Sequence, residues 1–188
     1  MGEPLPQRLR AELPLGLALA CADLGTQVTA VQTRVAALEA ACTPVAERLP
    51  AYRLLRSIPG VGPTVAAILL AEIGDIGWYS KFSQLRKLAG LDIIRVQSGQ
   101  FTGQARISKG GRPLLRWALY QAALGVARTA AGRARLAALK AKRQGDWFAG
   151  FKAVVELAAK MLRVVRGVWR SGTLYDPRRM GGLWRQPH

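Results

Sequence analysis

The heptapeptide Ser57-Ile58-Pro59-Gly60-Val61-Gly62-Pro63 separates two apolar stretches and restricts how the chain on either side can fold. Pro59 cannot continue a preceding helix, whereas Pro63 suits the first position of a following one. Before the break, Pro50 to Ser57 reads as a short helix with Tyr52, Leu54, Leu55 and Ile58 as its apolar positions. After it, Val65, Ala66, Ile68, Leu69 and Ile73 keep helical spacing up to a stop at Gly74. A helix, a Gly-Val-Gly turn and a second helix make a helix-hairpin-helix pattern over 50–74. Gly60, Val61 and Gly62 are its candidate contacts. Glycine admits backbone dihedrals that other residues avoid and lets N–H groups at a helix start face a phosphate. Such a contact positions a nucleic acid without reading its sequence. The pattern equally fits a plain helical hairpin, and residues 58–75 contain no Lys or Arg.

Charge is distributed unevenly. Residues 1–57 hold six basic and five acidic residues, whereas 76–145 hold fourteen basic residues and one acid, Asp92. With a formal net charge of +17 and half the residues apolar, the chain is expected to fold and to present a surface that attracts polyanions. Nucleic acid is the first expected partner and an anionic membrane surface the alternative. No apolar run reaches the roughly 18 residues a membrane span needs, so no membrane span is expected, and nucleic acid rather than a membrane is taken as the partner. Two cysteines make neither a disulfide framework nor a zinc site, and an intracellular, reducing location fits.

The remaining segments read as helices. Residues 1–14 are expected to be a flexible leader. From Leu17 the series Cys21, Leu24, Val28, Val31, Val35, Leu38, Cys42, Val45, Leu49 steps by four and three. That is a 3.5-residue seam, the requirement for a coiled coil over 15–49, with Pro44 expected to end or kink it near Thr43. Residues 81–90 form a short helix closed by Gly90, and Leu91 to Gly111 reads as a long basic loop. Pro113 opens a helix to about Ala131, with Leu114, Leu115, Ala118, Leu119, Ala122 and Val126 inward. Gly132 to Arg143 is a short basic helix. Trp147 to about Trp169 is an amphipathic helix burying Phe148, Phe151, Val155, Ala158, Leu162, Val165 and Trp169. The fold class is all-α, with residues 177–188 as a tail.

Chemistry is limited by composition. The one histidine is His188, so Ser-His-Asp and Cys-His arrangements have no base. Glu72 and Asp75 share a helix end but are too few for two-metal phosphoryl transfer; no metal site is expected. Serine remains. Ser98, in Gln97-Ser98-Gly99 with Arg95 three residues before, and Ser108, between Ile107 and Lys109 with Arg106 two before, could each attack a phosphodiester if cations stabilise the developing charge. From the residues alone the ordinary reading of each comes first, Ser98 in a Ser-Gly turn and Ser108 as a cap or phosphate contact.

Several blocks carry a resemblance. They are Leu54-Leu55-Arg56-Ser57-Ile58-Pro59-Gly60-Val61-Gly62, Leu69-Leu70-Ala71-Glu72-Ile73-Gly74-Asp75, Leu88-Ala89-Gly90-Leu91, Gln97-Ser98-Gly99, Ile107-Ser108-Lys109-Gly110, Leu114-Leu115-Arg116-Trp117-Ala118-Leu119-Tyr120 and Tyr175-Asp176-Pro177. In order and spacing, residues 54–176 resemble the C-terminal domain of bridge-RNA-guided insertion-sequence transposases and the related Piv-type DNA invertases. The resemblance places a domain at 50–176 and implies DNA as partner, a guide RNA, and Ser98 as a nucleophile forming a phosphoserine link. Arg95, Arg106, Ser108, Lys109, Arg112 and Arg116 become backbone contacts. The sequence departs where Leu91 is followed by Asp92 rather than the family's proline. Family members begin with an RNase-H-like domain whose acidic residues bind metal. The first 50 residues here are too short for one, so Mg2+ is expected only with that domain. The chain alone is expected to bind nucleic acid without recombining it, and to form a homo-oligomer through the coiled-coil seam of 15–49. The rival reading is a non-catalytic coiled-coil and helix-hairpin-helix module; membrane-surface adhesion by the helix from Trp147 is a third.

Overall fold

The structure, a computed structural model, describes residues 15–94, 97–98, 101–102 and 106–179. It is all-helical apart from short ladders, and the chain divides into two compact units, Met1–Cys42 and Thr43–His188.

Helix α1 runs Leu15–Glu47. Along it Leu17, Leu24, Val28, Val31, Val35 and Leu38 are 47–61% exposed, so the apolar seam lies open to solvent. The expected break at Pro44 does not occur, because Pro44 lies inside the helix. A proline removes one backbone hydrogen bond, and here only three further residues follow it. Burial of Ala46 in the core of the second unit holds that last turn in place.

The second unit begins with α2 (Pro50–Arg56) and α3 (Pro63–Ile73), the expected helical hairpin. Tyr52, Leu55, Ile58, Val65, Ala66, Leu69 and Ile73 are buried along it. Gly74, at φ +71, ends α3. A 3-10 turn (Ile76–Trp78), capped by the Asp75 carboxylate accepting from the Gly77 N–H at 2.8 Å, leads to α4 (Phe82–Leu88).

The segment 91–111, read from sequence as a loop, contains nested antiparallel pairs. Strand β1 (Ile93–Ile94) pairs with β4 (Arg106–Ile107), and β2 (Gln97–Ser98) with β3 (Phe101–Thr102). The pieces are two residues long and interrupted by glycines, which hides their period in the sequence. Then come α5 (Pro113–Val126), α6 (Ala130–Ala141) and α7 (Ala149–Ser171). The Thr129 hydroxyl accepts from the Gly132 N–H and starts α6.

Helix α7 is the central beam, packing against α5, α6, α2 and α4, while α3 packs on α5. Its buried face is Ala153, Val154, Leu157, Ala158, Met161, Leu162, Val164, Val165 and Val168. The sequence reading placed Phe148 and Phe151 inward, yet both are exposed, as is Leu114 on α5. Helices on several sides leave α7 room for small and branched side chains at close approach, and the aromatic pair at its first turn falls outside that contact. The Ser57 hydroxyl donates to the Leu54 carbonyl at 2.6 Å and accepts from the Tyr175 N–H at 2.8 Å, tying the segment after α7 to the hairpin.

Candidate nucleic-acid interface

Gly60 and Gly62 have different roles in the α2–α3 turn. Gly60 has φ +85, and a Cβ there would lie 2.5 Å from both the Ala122 carbonyl oxygen and the Val126 nitrogen of α5. Its need for glycine is therefore explained by packing. Val61 is buried and donates its N–H to Ile58, while its carbonyl accepts from Arg56 at 3.1 Å. Gly62, the residue before α3, has nothing within 4 Å of a Cβ position and ordinary φ −76. Of the three, Gly62 presents open backbone. Arg56 brings a cation beside a turn whose own sequence has none.

The base of the β-hairpin is built on α4. Gly90, at φ +64, and Gly111 are in contact, and a Cβ on Gly90 would lie 2.8 Å from the Gly111 nitrogen. The N–H groups of Ser108, Lys109 and Arg112 donate to the carbonyls of Asp92, Gly90 and Leu88 at 2.7, 3.1 and 2.7 Å. These bonds carry the β1–β4 pairing down to the end of α4 and fix the start of α5. Lys109 has φ +56, the one non-glycine residue at positive φ among the described residues. Its ammonium has no hydrogen-bond or ion-pair partner among those residues. A side chain held in this conformation costs about 1 kcal/mol or more, and such strain collects where a side chain is needed.

The other predicted contacts sit around this base. The Arg116 guanidinium donates to the carbonyls of Ala89 at 3.1 Å and Lys109 at 3.4 Å, bracing the turn from α5. Arg112 donates to the Glu72 carbonyl at 2.7 Å and lies 3.9 Å from its carboxylate, so part of its charge is offset. Asp92, the acid that departs from the expected pattern, accepts from Arg86 Nε at 2.7 Å. Arg86 was not among the sequence-predicted residues. Its spacing of six from Asp92 across the Gly90 turn is the signal that could have found it.

Ser98 pairs with Phe101 in the inner ladder, and Ser108 follows the outer one, so the two serines belong to opposite ends of the nested pairing. Arg106 is opposite Ile94 in the outer ladder. Arg95 lies outside the described residues, as do the side chains of Ser98 and Arg106.

Further along α7, Arg163 stacks 4.8 Å over the Phe82 ring, and Arg166 donates to the Ser80 carbonyl at 2.7 Å. These cations brace α4's approach rather than facing solvent freely. Even so, eleven acids can neutralise at most eleven of twenty-eight cations, and no charged residue is fully buried among the described ones. The part of that surplus carried by the described residues is therefore at the surface.

No group of three or more His, Cys, Asp or Glu could hold a metal ion among the described residues. Glu72 and Asp75 are engaged by Arg112 and Gly77, so the described residues do not fit a Mg2+ site. No helix among them is long and apolar enough to cross a membrane.

Residues 52–138 match the profile described as Transposase IS116/IS110/IS902 family. The match covers the α2–α3 hairpin, the β-hairpin, α5 and most of α6. The chain is similar to the insertion element IS110 uncharacterized 43.6 kDa protein of Streptomyces coelicolor, 29% identical over 161 residues, covering 86% of this chain and 39% of that protein. It is also similar to the insertion element IS116 uncharacterized 44.8 kDa protein of Streptomyces clavuligerus, 29% identical over 124 residues, with 66% and 30% covered. The putative transposase y4rJ of Sinorhizobium fredii is 34% identical over 128 residues, with 65% and 32% covered. The chain thus spans about a third of the length of the relatives it matches.

Proposed function

We propose that this chain is the nucleic-acid-binding C-terminal part of an insertion-sequence transposase, in which Ser98 is the nucleophile of a composite active site. The observation that carries the reading is the match of 52–138 to an insertion-sequence transposase profile, across both the helical hairpin and the Gln97-Ser98 strand. The similarity to IS110 and IS116 element proteins and to a putative transposase supports the same role.

In this reading the surplus of cations holds DNA by its backbone, and a guide RNA shares the same basic surface. Gly62, Arg56, Lys109, Arg112 and Arg116 supply positioning contacts. The Ser98 oxygen attacks a phosphodiester phosphorus, and a P–O ester bond breaks as the serine ester forms. The serine proton ends on the departing ester oxygen. Reversal by another DNA end frees the serine. Acidic residues of the RNase-H-like domain that the family resemblance implies, with any Mg2+ they would hold, complete the site; this chain binds, positions and supplies Ser98. The open seam of α1 pairs with a second copy of the chain, as a 3.5-residue repeat of Leu and Val favours.

The test is adduct formation. With the acidic remainder of such a transposase supplied in trans, the chain is expected to acquire a DNA adduct that maps to the Ser98 peptide and is lost in Ser98→Ala. A chain that binds DNA and never forms an adduct under those conditions is instead the non-catalytic binding module.

A further inference from the structure

We propose that the cleft at the base of the β-hairpin receives one unpaired nucleobase of a single-stranded nucleic acid, stacked on Trp117 and Phe151, with its phosphate on Lys109 and Arg116. This rests on the nucleic-acid reading above and adds a substrate class to it.

The cleft lies between the hairpin base (Leu91, Ile107), α5 (Pro113 to Tyr120) and α7 (Phe151, Val155, Ala158), and measures about 240 Å³. Sites for drug-sized ligands run roughly 300–1,000 Å³, so this one suits a single flat ring system. Trp117 and Tyr120, three apart, share one face of α5. Phe151, Val155 and Ala158 share one face of α7. The Tyr120 and Phe151 rings are 6.0 Å apart at 39°, which fixes one wall. Trp117 is 46% and Phe151 56% exposed. Both rings are thus partly in water beside an apolar floor, and a ring-shaped occupant would cover them.

The rim is cationic. Lys109 and Arg116 line the cleft, and among the described residues no acidic side chain does. The Arg116 guanidinium is fixed by the Ala89 and Lys109 carbonyls, so it is held at the rim before any ligand arrives. An aromatic-walled slot with cations on one edge is the arrangement by which proteins take single strands, because every base has a stacking face and every nucleotide a phosphate. A paired base keeps its faces inside the duplex and cannot enter without being flipped.

The experiment uses the whole chain, an oligothymidylate and a duplex of the same length. A second single strand carries 2-aminopurine, whose emission falls on stacking. Quenching on binding is expected. Trp117→Ala and Phe151→Ala, both at half-exposed positions, are each expected to weaken single-strand affinity about ten-fold. Duplex affinity should be unchanged in both, melting temperature should be unchanged in Trp117→Ala and slightly lowered in Phe151→Ala, which loses the Tyr120 ring contact, and Trp117→Phe should keep most of the single-strand affinity. Normal duplex binding with no quenching, or with single-strand affinity indifferent to both alanine variants, overturns the cleft proposal alone. An equal loss on both substrates also overturns it. Failure to bind either nucleic acid removes the broader reading as well. Quenching that persists in both variants places the base elsewhere and overturns the assignment.

Discussion

Gly60 and Gly125 meet backbone to backbone, with a Cβ on Gly125 falling 2.7 Å from the Gly60 carbonyl oxygen and 2.8 Å from its Cα. The α2–α3 turn is thereby seated on the last turn of α5. Gly125→Ala must push the two apart, and Gly60→Ala adds an unfavourable φ to the same clash. Each is expected to cost about 2–4 kcal/mol in chemical denaturation. Gly62→Ala has free space and a permitted φ, and should change stability by less than about 0.5 kcal/mol. Weaker DNA binding by Gly62→Ala at unchanged stability would separate the turn's phosphate role from its packing role.

Lys109 sits on the Gly90 carbonyl at positive φ, and glycine would adopt that conformation without strain. Lys109→Gly should therefore leave stability equal or raise it by up to about 1 kcal/mol. DNA affinity should fall, with the salt slope shallower by about one unit. A variant that is more stable and binds as tightly would show that the ammonium has no part in binding.

The start of α7 carries a pH-sensitive contact. The Asp146 carboxylate accepts from the Lys152 ammonium at 2.7 Å and from the Phe148 N–H at 2.9 Å, and together they hold its pKa below the usual carboxylate value, the Lys152 bond contributing most. A depressed folded-state pKa means stability present above the unfolded value and lost as pH falls through the lowered one. Acid titration of the wild type should show this loss below the ordinary carboxylate range, and Asp146→Asn should remove that component. The group is solvent-exposed, so the effect is expected to be small.

The helical frame was legible because its punctuation is chemical. Pro50, Pro63, Gly74 and Pro113 each mark a helix boundary that the structure keeps, and Gly90 follows the helix it was expected to close by taking a left-handed φ. Three features were not legible. The nested strands of 93–107 are two-residue pieces whose pairing is set by contacts across the segment, not by local period. Pro44 reads locally as a helix end, yet burial of Ala46 after it keeps the helix going. Phe148 and Phe151 read as core by hydropathy, whereas α7 has so many neighbours that its buried face is chosen by fit. For the candidate site, the sequence named Lys109, Arg112 and Arg116, and the fold gathers these three at one hairpin base. It could not show that Glu72 and Asp92 offset Arg112 and Arg86, because those partners meet only in three dimensions.

The central claim is that surplus surface cations bind a nucleic-acid backbone, and the salt dependence of DNA affinity tests it most directly. With about five phosphate contacts, log affinity should fall against log salt with a slope of roughly −4 to −5. A flat dependence, or no binding at low salt, would contradict the account.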